Sequence, residues 1–144
     1  PKIDTRDYGL IKTRNDKEVE AILINDLSDI YNYLSDKITT IFIDEANFMK
    51  GNIDVLIELS INKDLDIFIA GLNLTSELKP FGIMPEIMAI SDEIVLLHAS
   101  CNDCNRDASY TYYNGSKDSD ILVGNDNYIA LCPKCLRKRL TLNK

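Results

Sequence analysis

Four cysteines stand in two pairs, Cys101-Asn102-Asp103-Cys104 and Cys132-Pro133-Lys134-Cys135, with 27 residues between the pairs. A Cys-x-x-Cys turn presents two thiolates to one edge of a metal ion, and a second such turn completes a tetrahedron. Zinc suits four thiolates, and a site closed by four cysteines is structural. The wide gap reads as a loop tied at both ends by the ion. Two disulfides or a redox-active Cys-x-x-Cys are the competing readings. Nothing in these 144 residues reads as a signal peptide, which weighs against disulfides.

A second group with chemical potential is "TTIFIDEANF", residues 39–48, where an apolar run ends on Asp44 and Glu45. Burying a carboxylate is costly unless something pairs with it. The two acids therefore mark either a strand end that has reached water or the mouth of a site. In the second case one acid would hold Mg²⁺, and its neighbour would serve as a general base. Asp4 and Arg6, two apart on an extended segment, would serve a metal and a phosphate, or form a surface pair worth little. His98 is the only histidine and sits in an apolar run, so it reads as structural. The basic stretch 134–139 reads as a phosphate patch or as the solvated face of a terminal helix.

The elements that must position these residues follow from periodicity. Residues 17–24 predict a strand. Residues 26–36 carry Leu27, Ile30, Tyr31 and Leu34 at helical spacing, with Asp26 or Ser28 as cap. The runs 39–45, 66–72 and 93–99 are continuously apolar and predict three strands buried on both faces. Residues 53–62, with Ile53, Leu56, Ile57 and Ser60 on one side, and 81–91, with Pro85 in the first turn, predict helices. Strands alternating with helices imply a parallel α/β sheet, whose ligands bind beyond the carboxyl ends of its strands. Asp44-Glu45 and Gly71-Leu72-Asn73 lie at such ends. After Ala99 the turn pairs Asn114-Gly115 and Gly124-Asn125 predict a hairpin-rich tail. The expected division is an α/β core over 1–98 and a zinc-binding domain over 99–144.

The 144 residues suit one compact domain, or a small domain with an appendage. A net charge of −7 argues against general nucleic-acid binding. No apolar run approaches the roughly 20 residues of a membrane span. None of the six glycines opens G-x-x-x-x-G-K-[ST], so no phosphate-cradling loop stands in these residues.

Together the motifs resemble one family, the zinc-containing, cellular and bacterial thymidine kinases. The resemblance covers nearly the whole chain. "PKIDTRDYG" resembles the family's Asp-x-Arg-Tyr stretch, and "IDEANF" its Ile-Asp-Glu-Ala-Gln-Phe. "GLNLTSELKPFG" resembles its Gly-Leu-Asp followed by Pro-Phe-Gly. "CNDCNRDASYTYY" resembles its first zinc turn, and "VGNDNYIALCPKC" the stretch running into the second.

The resemblance implies a P-loop-kinase-like parallel sheet with flanking helices and a small C-terminal zinc-ribbon or lasso domain. It implies transfer of the γ-phosphate of ATP-Mg to the 5′-hydroxyl of thymidine or deoxyuridine. Glu45 would be the base; Asp44, with Asp4 through water, would position Mg²⁺; Arg6 would sit near the transferring phosphate. Phe48, Leu72, Phe81 and Thr111 would wall the thymine pocket. Tyr128 and the backbone at Val123 would close over the nucleoside from a lasso pinned by zinc on Cys101, Cys104, Cys132 and Cys135. The resemblance further implies a cytoplasmic homotetramer subject to dTTP feedback, with no nucleic-acid or membrane partner. It also implies residues before Pro1, about 40 to 50 of them, carrying a first strand, the phosphate loop and its helix. Without that strand a hydrophobic sheet edge would be exposed. Asn47, Asn73 and Ser76 depart from the family's Gln, Asp and Phe. These departures motivate an alternative, a non-catalytic, zinc-stabilised nucleoside-binding or interaction protein.

Overall fold

A computed structural model describes residues 10–12, 18–115 and 127–142, so Asp4, Arg6 and Val123 lie outside the described residues. The chain divides into two compact units, one drawn from Pro1–Asn73 and Phe81–Ser91, the other from Leu74–Pro80 and Asp92–Lys144.

In the first unit, β1 (Leu10–Lys12) and β2 (Glu18–Glu20) form a short antiparallel pair. A 3-10 helix follows over Leu27–Tyr33. Asp26 caps it: its Oδ1 accepts the Ser28 N–H at 3.0 Å, and Asp29 returns a carboxylate oxygen to the Asp26 N–H at 3.3 Å. This reciprocal pairing satisfies donors that a helix start leaves open.

Strand β3 (Thr40–Ile43) runs parallel to β4 (Asp66–Ile69), with helix α1 (Asp54–Lys63) between them in sequence. Helix α1 begins where the Asn52 side chain accepts the Asp54 N–H at 3.0 Å. It stops at Asp64, whose backbone is left-handed (φ +54°) and donates back to the Leu59 carbonyl. Its buried side is Leu56 and Leu59; Ser60, expected on the inner side, is exposed.

Alternation along the two strands sends Ile41, Ile43, Ile67 and Ile69 toward one core. There they meet Leu27, Ile30, Ala46, Met49, Leu56, Leu59, Leu65, Met84 and Ile87. Met84 and Ile87 come from α2 (Met84–Ile90), which carries Pro85 in its first turn as expected.

Three expectations need correction. Strands β3 and β4 bury one face only: Phe42 and Phe68 stack on the other, with centroids 5.1 Å apart, and both are exposed. The helix expected over 81–91 starts only at Met84, because Gly82 at φ +52° breaks the turn before it. Most tellingly, 93–98 forms no strand; Ile94, Val95, Leu96 and Leu97 are exposed. Apolar composition gives a segment the propensity for a strand, but a strand exists only where a neighbour supplies ladder partners. Among the described residues, the sheets are four separate two-stranded pairs, one parallel and three antiparallel.

The second unit contains β5 (Ala99–Ser100) paired with β6 (Asp107–Ala108), and β7 (Tyr110–Tyr113) paired with β8 (Tyr128–Leu131). Helix α3 (Pro133–Leu142) closes it. Pro133 opens this helix where its missing N–H leaves no bond unmade. The core is Cys101, Ala108, Leu131, Cys132, Cys135 and Leu136. The chain is thus a small α/β protein, and among its described residues no helix is long and apolar enough to cross a membrane.

Candidate functional site

In the first unit, the ladder between β3 and β4 continues past their ends. The Ala70 N–H donates to the Ile43 carbonyl at 2.8 Å, and the Ala46 N–H to the Ala70 carbonyl at 3.0 Å. Asp44 and Glu45 sit inside this braced corner, at the carboxyl end of a parallel strand. Asp44 is exposed, and its Oδ1 accepts the Glu45 N–H at 2.9 Å. Glu45 is half-buried with φ +54°, a left-handed backbone that an L-residue adopts at some cost. The chain then turns through a short 3-10 helix, Ala46–Phe48.

That turn brings Phe48 edge-on to Phe81, with centroids 5.2 Å apart and an interplanar angle of 81°. Phe81 is itself fixed by its N–H bond to the Asn73 carbonyl at 3.1 Å. Leu72 is joined to the same turn by its N–H bond to Asn47 Oδ1 at 2.9 Å. Thus the structure brings together the β3 acids, Phe48, Phe81 and the backbone of Leu72. An exposed and a half-buried carboxylate beside an aromatic wall can hold a divalent cation and deprotonate a hydroxyl on a flat, apolar-faced ligand.

In the second unit, Thr111 lies on β7 opposite Ala130, and Tyr128 on β8 opposite Tyr113. The Tyr113 and Tyr128 rings pack with centroids 5.1 Å apart. His98 is exposed rather than buried in a strand, and its Nδ1 shares a 3.0 Å hydrogen bond with Ser109 Oγ.

The four cysteines converge, with all Sγ atoms within 4.8 Å of one another. A tetrahedron with zinc–sulfur bonds of about 2.3 Å has edges of about 3.8 Å, and Cys104 and Cys132 are 3.7 Å apart. The donor set therefore fits a tetrahedral ion such as zinc. All four are free thiols, and the 3.7 Å separation is far beyond a disulfide bond.

The first turn is shaped by Cys101, whose carbonyl accepts the Cys104 and Asn105 N–H groups at 3.3 and 2.8 Å. Asn105 takes the left-handed conformation that lets the chain reverse there. The second turn joins β8 to α3, and the Cys132 N–H donates to Cys101 Sγ at 3.3 Å. Hydrogen bonds from Arg106 hold the Cys104 thiol down, to about 6. Burial pushes Cys135 up to about 12. Four sulfurs this close cannot all carry charge on their own; a dication resolves the conflict by taking all four as thiolates.

Near the cluster, sequence did not single out Arg106, and it gave Arg139 only as part of the basic stretch 134–139. Arg106 donates to two of the sulfurs. Arg139 of α3 clamps Asp103 of the first turn, with Nη2 to Oδ1 at 2.6 Å and Nε to Oδ2 at 3.1 Å. Only the sign of their charge, next to or opposite a Cys-x-x-Cys turn, could have suggested them. The stretch 134–139 lies in the terminal helix as expected, but only part of it is solvated: Lys134, Arg137 and Lys138 are exposed, whereas Cys135 and Leu136 are buried and Arg139 is half-buried.

The family model described as "Thymidine kinase" matches residues 1–136. A thymidine kinase of Pseudothermotoga lettingae is 33% identical over 99% of this chain and 79% of its own length. One of Mycoplasma mobile is 32% identical over 93% of this chain and 68% of its own. One of Bacteroides thetaiotaomicron is 35% identical over 96% and 71%. A match that runs through the acid-bearing strand end and all four cysteines of the cluster places the chain in the thymidine kinase family.

Proposed function

We propose that the protein is an ATP-dependent thymidine kinase, moving the γ-phosphate to the 5′-hydroxyl of thymidine or deoxyuridine. The observation that carries this reading is the corner at the end of β3, where Asp44 and Glu45 share one turn with Phe48, inside a family match over residues 1–136. No observation favours the non-catalytic alternative.

In this reading Glu45 accepts the proton of the 5′-hydroxyl as its oxygen bonds to the γ-phosphorus and the bond to the ADP oxygen breaks. Asp44 and Asp4 are the residues that would hold Mg²⁺, which when bound offsets phosphate charge. Arg6 stabilises the transferring group. Phe48, Leu72, Phe81 and Thr111 wall the thymine; Tyr128 and the backbone of Val123 close over the nucleoside. An aromatic and aliphatic wall suits a flat base, and water kept out cannot compete for the phosphate.

The P-loop-kinase-like sheet, the division at residues 98 and 99, the homotetramer and feedback by dTTP belong to the same reading. So do structural zinc on Cys101, Cys104, Cys132 and Cys135 and a cytoplasmic setting, which suits four free thiols.

The test is thymidine-dependent ADP formation by the whole gene product, wild type against Glu45→Gln. The variant should lose turnover by a factor of about 100 or more, while calorimetry should find thymidine binding retained. Near-normal turnover of the variant would remove Glu45 as the base. A wild type that binds thymidine but forms no ADP would overturn the kinase reading itself.

A further inference from the structure

We propose that Arg106 is an outer clamp on the metal centre, joining the two Cys-x-x-Cys turns through their sulfurs and retaining the ion. The inference rests on the zinc reading above. Arg106 Nε donates to Cys104 Sγ at 3.3 Å, and Nη2 donates to Cys132 Sγ at 3.4 Å. Cys104 belongs to the first turn and Cys132 to the second, so one rigid guanidinium spans both. Its backbone is fixed as well: the Arg106 carbonyl accepts the Cys101 N–H at 2.7 Å, between paired strands β5 and β6. The fork is thus anchored at its root before it reaches the sulfurs.

The chemistry follows from charge. One zinc ion with four thiolates carries a net charge of −2. A zinc-bound sulfur keeps lone pairs that accept N–H donors. Donation from a cation offsets part of that excess negative charge and holds each sulfur in place, which slows its detachment. The placement matters too. Cys104 is the exposed member of the four, where water and competing ligands arrive, and it is one of the two that Arg106 contacts. An open depression lined by Arg106, Asp107, Cys132, Pro133 and Lys134 adjoins the cluster and gives an approach to it. Lysine could not replace this fork, because a point charge reaches one sulfur at a time.

The test uses the full chain. Zinc content of the wild type is measured first; a chain that binds no zinc overturns the metal reading and is distinguished from failure of the clamp. Apparent zinc affinity is then measured by competition with a chromogenic chelator in wild type, Arg106→Gln, Arg106→Lys and Arg137→Gln. Arg137 is exposed and controls for loss of one positive charge. The expected result is an apparent Kd about 10- to 100-fold higher in Arg106→Gln, an intermediate value in Arg106→Lys, and a value near wild type in Arg137→Gln. Arg106→Gln within twofold of wild type overturns the clamp. So does Arg137→Gln weakened as much as Arg106→Gln, which would reduce the effect to general charge. Should Arg106→Gln fail to fold even in excess zinc, Arg106→Lys decides: unchanged affinity overturns the proposal, weakened affinity supports it.

Discussion

Asn47 Oδ1 accepts the Leu72 N–H at 2.9 Å across 25 residues of chain, tying the acid-bearing turn after β3 to the loop after β4. Asn47 is 2% exposed, so water cannot replace the bond. Asn47→Ala should destabilise the first unit by about 1–3 kcal/mol, the cost of stranding a donor in a poorly hydrated place. Asn47→Gln should also destabilise, because the site is full: a Cβ added at Gly71 would already lie 3.0 Å from Asn47 Oδ1 and 2.9 Å from Met84 Sδ. Urea denaturation checks both. A glutamine variant as stable as wild type would show that the site has room for the longer amide.

Gly82 is held by the same residue from the other side. Its φ is +52°, and a Cβ there would run into the Asn47 carbonyl oxygen. Gly82→Ala should therefore cost about 2 kcal/mol or more, since backbone strain and a clash with main chain add. Gly71→Ala should cost less, because its nearest contact is the flexible end of Met84. If thermal melts rank the two variants in the opposite order, the turn around Gly82 is softer than its geometry implies.

Asp26 carries a pH dependence whose sign can be worked out. Hydrogen bonds from Ser28, the side chain first and then the backbone, lower the Asp26 pKa below its ordinary 3.8. A carboxylate with a depressed pKa in the folded state contributes stability above the unfolded value. That contribution is lost as pH falls through the folded value. Asp26→Ala should thus lower the melting temperature at neutral pH, and the gap to wild type should close below about pH 3.8. A gap that stays constant into that acid range would mean the cap acts through shape rather than charge.

How much of this was legible in the sequence differs by element. Strands β3 and β4 could be read from β-branched runs because each finds a parallel partner, Ile41 with Ile67 and Ile43 with Ile69. The run 93–98 has the same composition, but pairing depends on what lies beside a segment, and composition does not encode that. The cysteine cluster was legible down to its four members, because Cys-x-x-Cys spacing fixes the geometry of each turn by itself. Asn47 was visible only as a shorter amide than the resembled pattern carries. Its tie to Leu72 depends on two loops meeting in space, so no local signal announced it. Arg106 was hidden for the same reason: its second sulfur, on Cys132, lies 26 residues away.

Metal removal should act on the second unit in particular. Three of the six residues in its core, Cys101, Cys132 and Cys135, are ligands under the zinc reading, so in that reading the ion and the core stand or fall together. Strand β8 leads into Cys132, and α3 begins at Pro133 with Cys135 in its first turn. Without the ion, burial of thiols and mutual repulsion of thiolates oppose each other, and the remaining apolar core of Ala108, Leu131 and Leu136 is small. Chelation should therefore strip amide-exchange protection from Tyr110–Tyr113, Tyr128–Leu131 and Pro133–Leu142. Thr40–Ile43, Asp54–Lys63 and Asp66–Ile69 rest on a separate apolar core and should keep theirs. Protection that survives chelation across β7 and β8 would show that aromatic packing of Tyr113 on Tyr128 holds that hairpin without metal. Equal loss in both units would show that the two cores unfold as one.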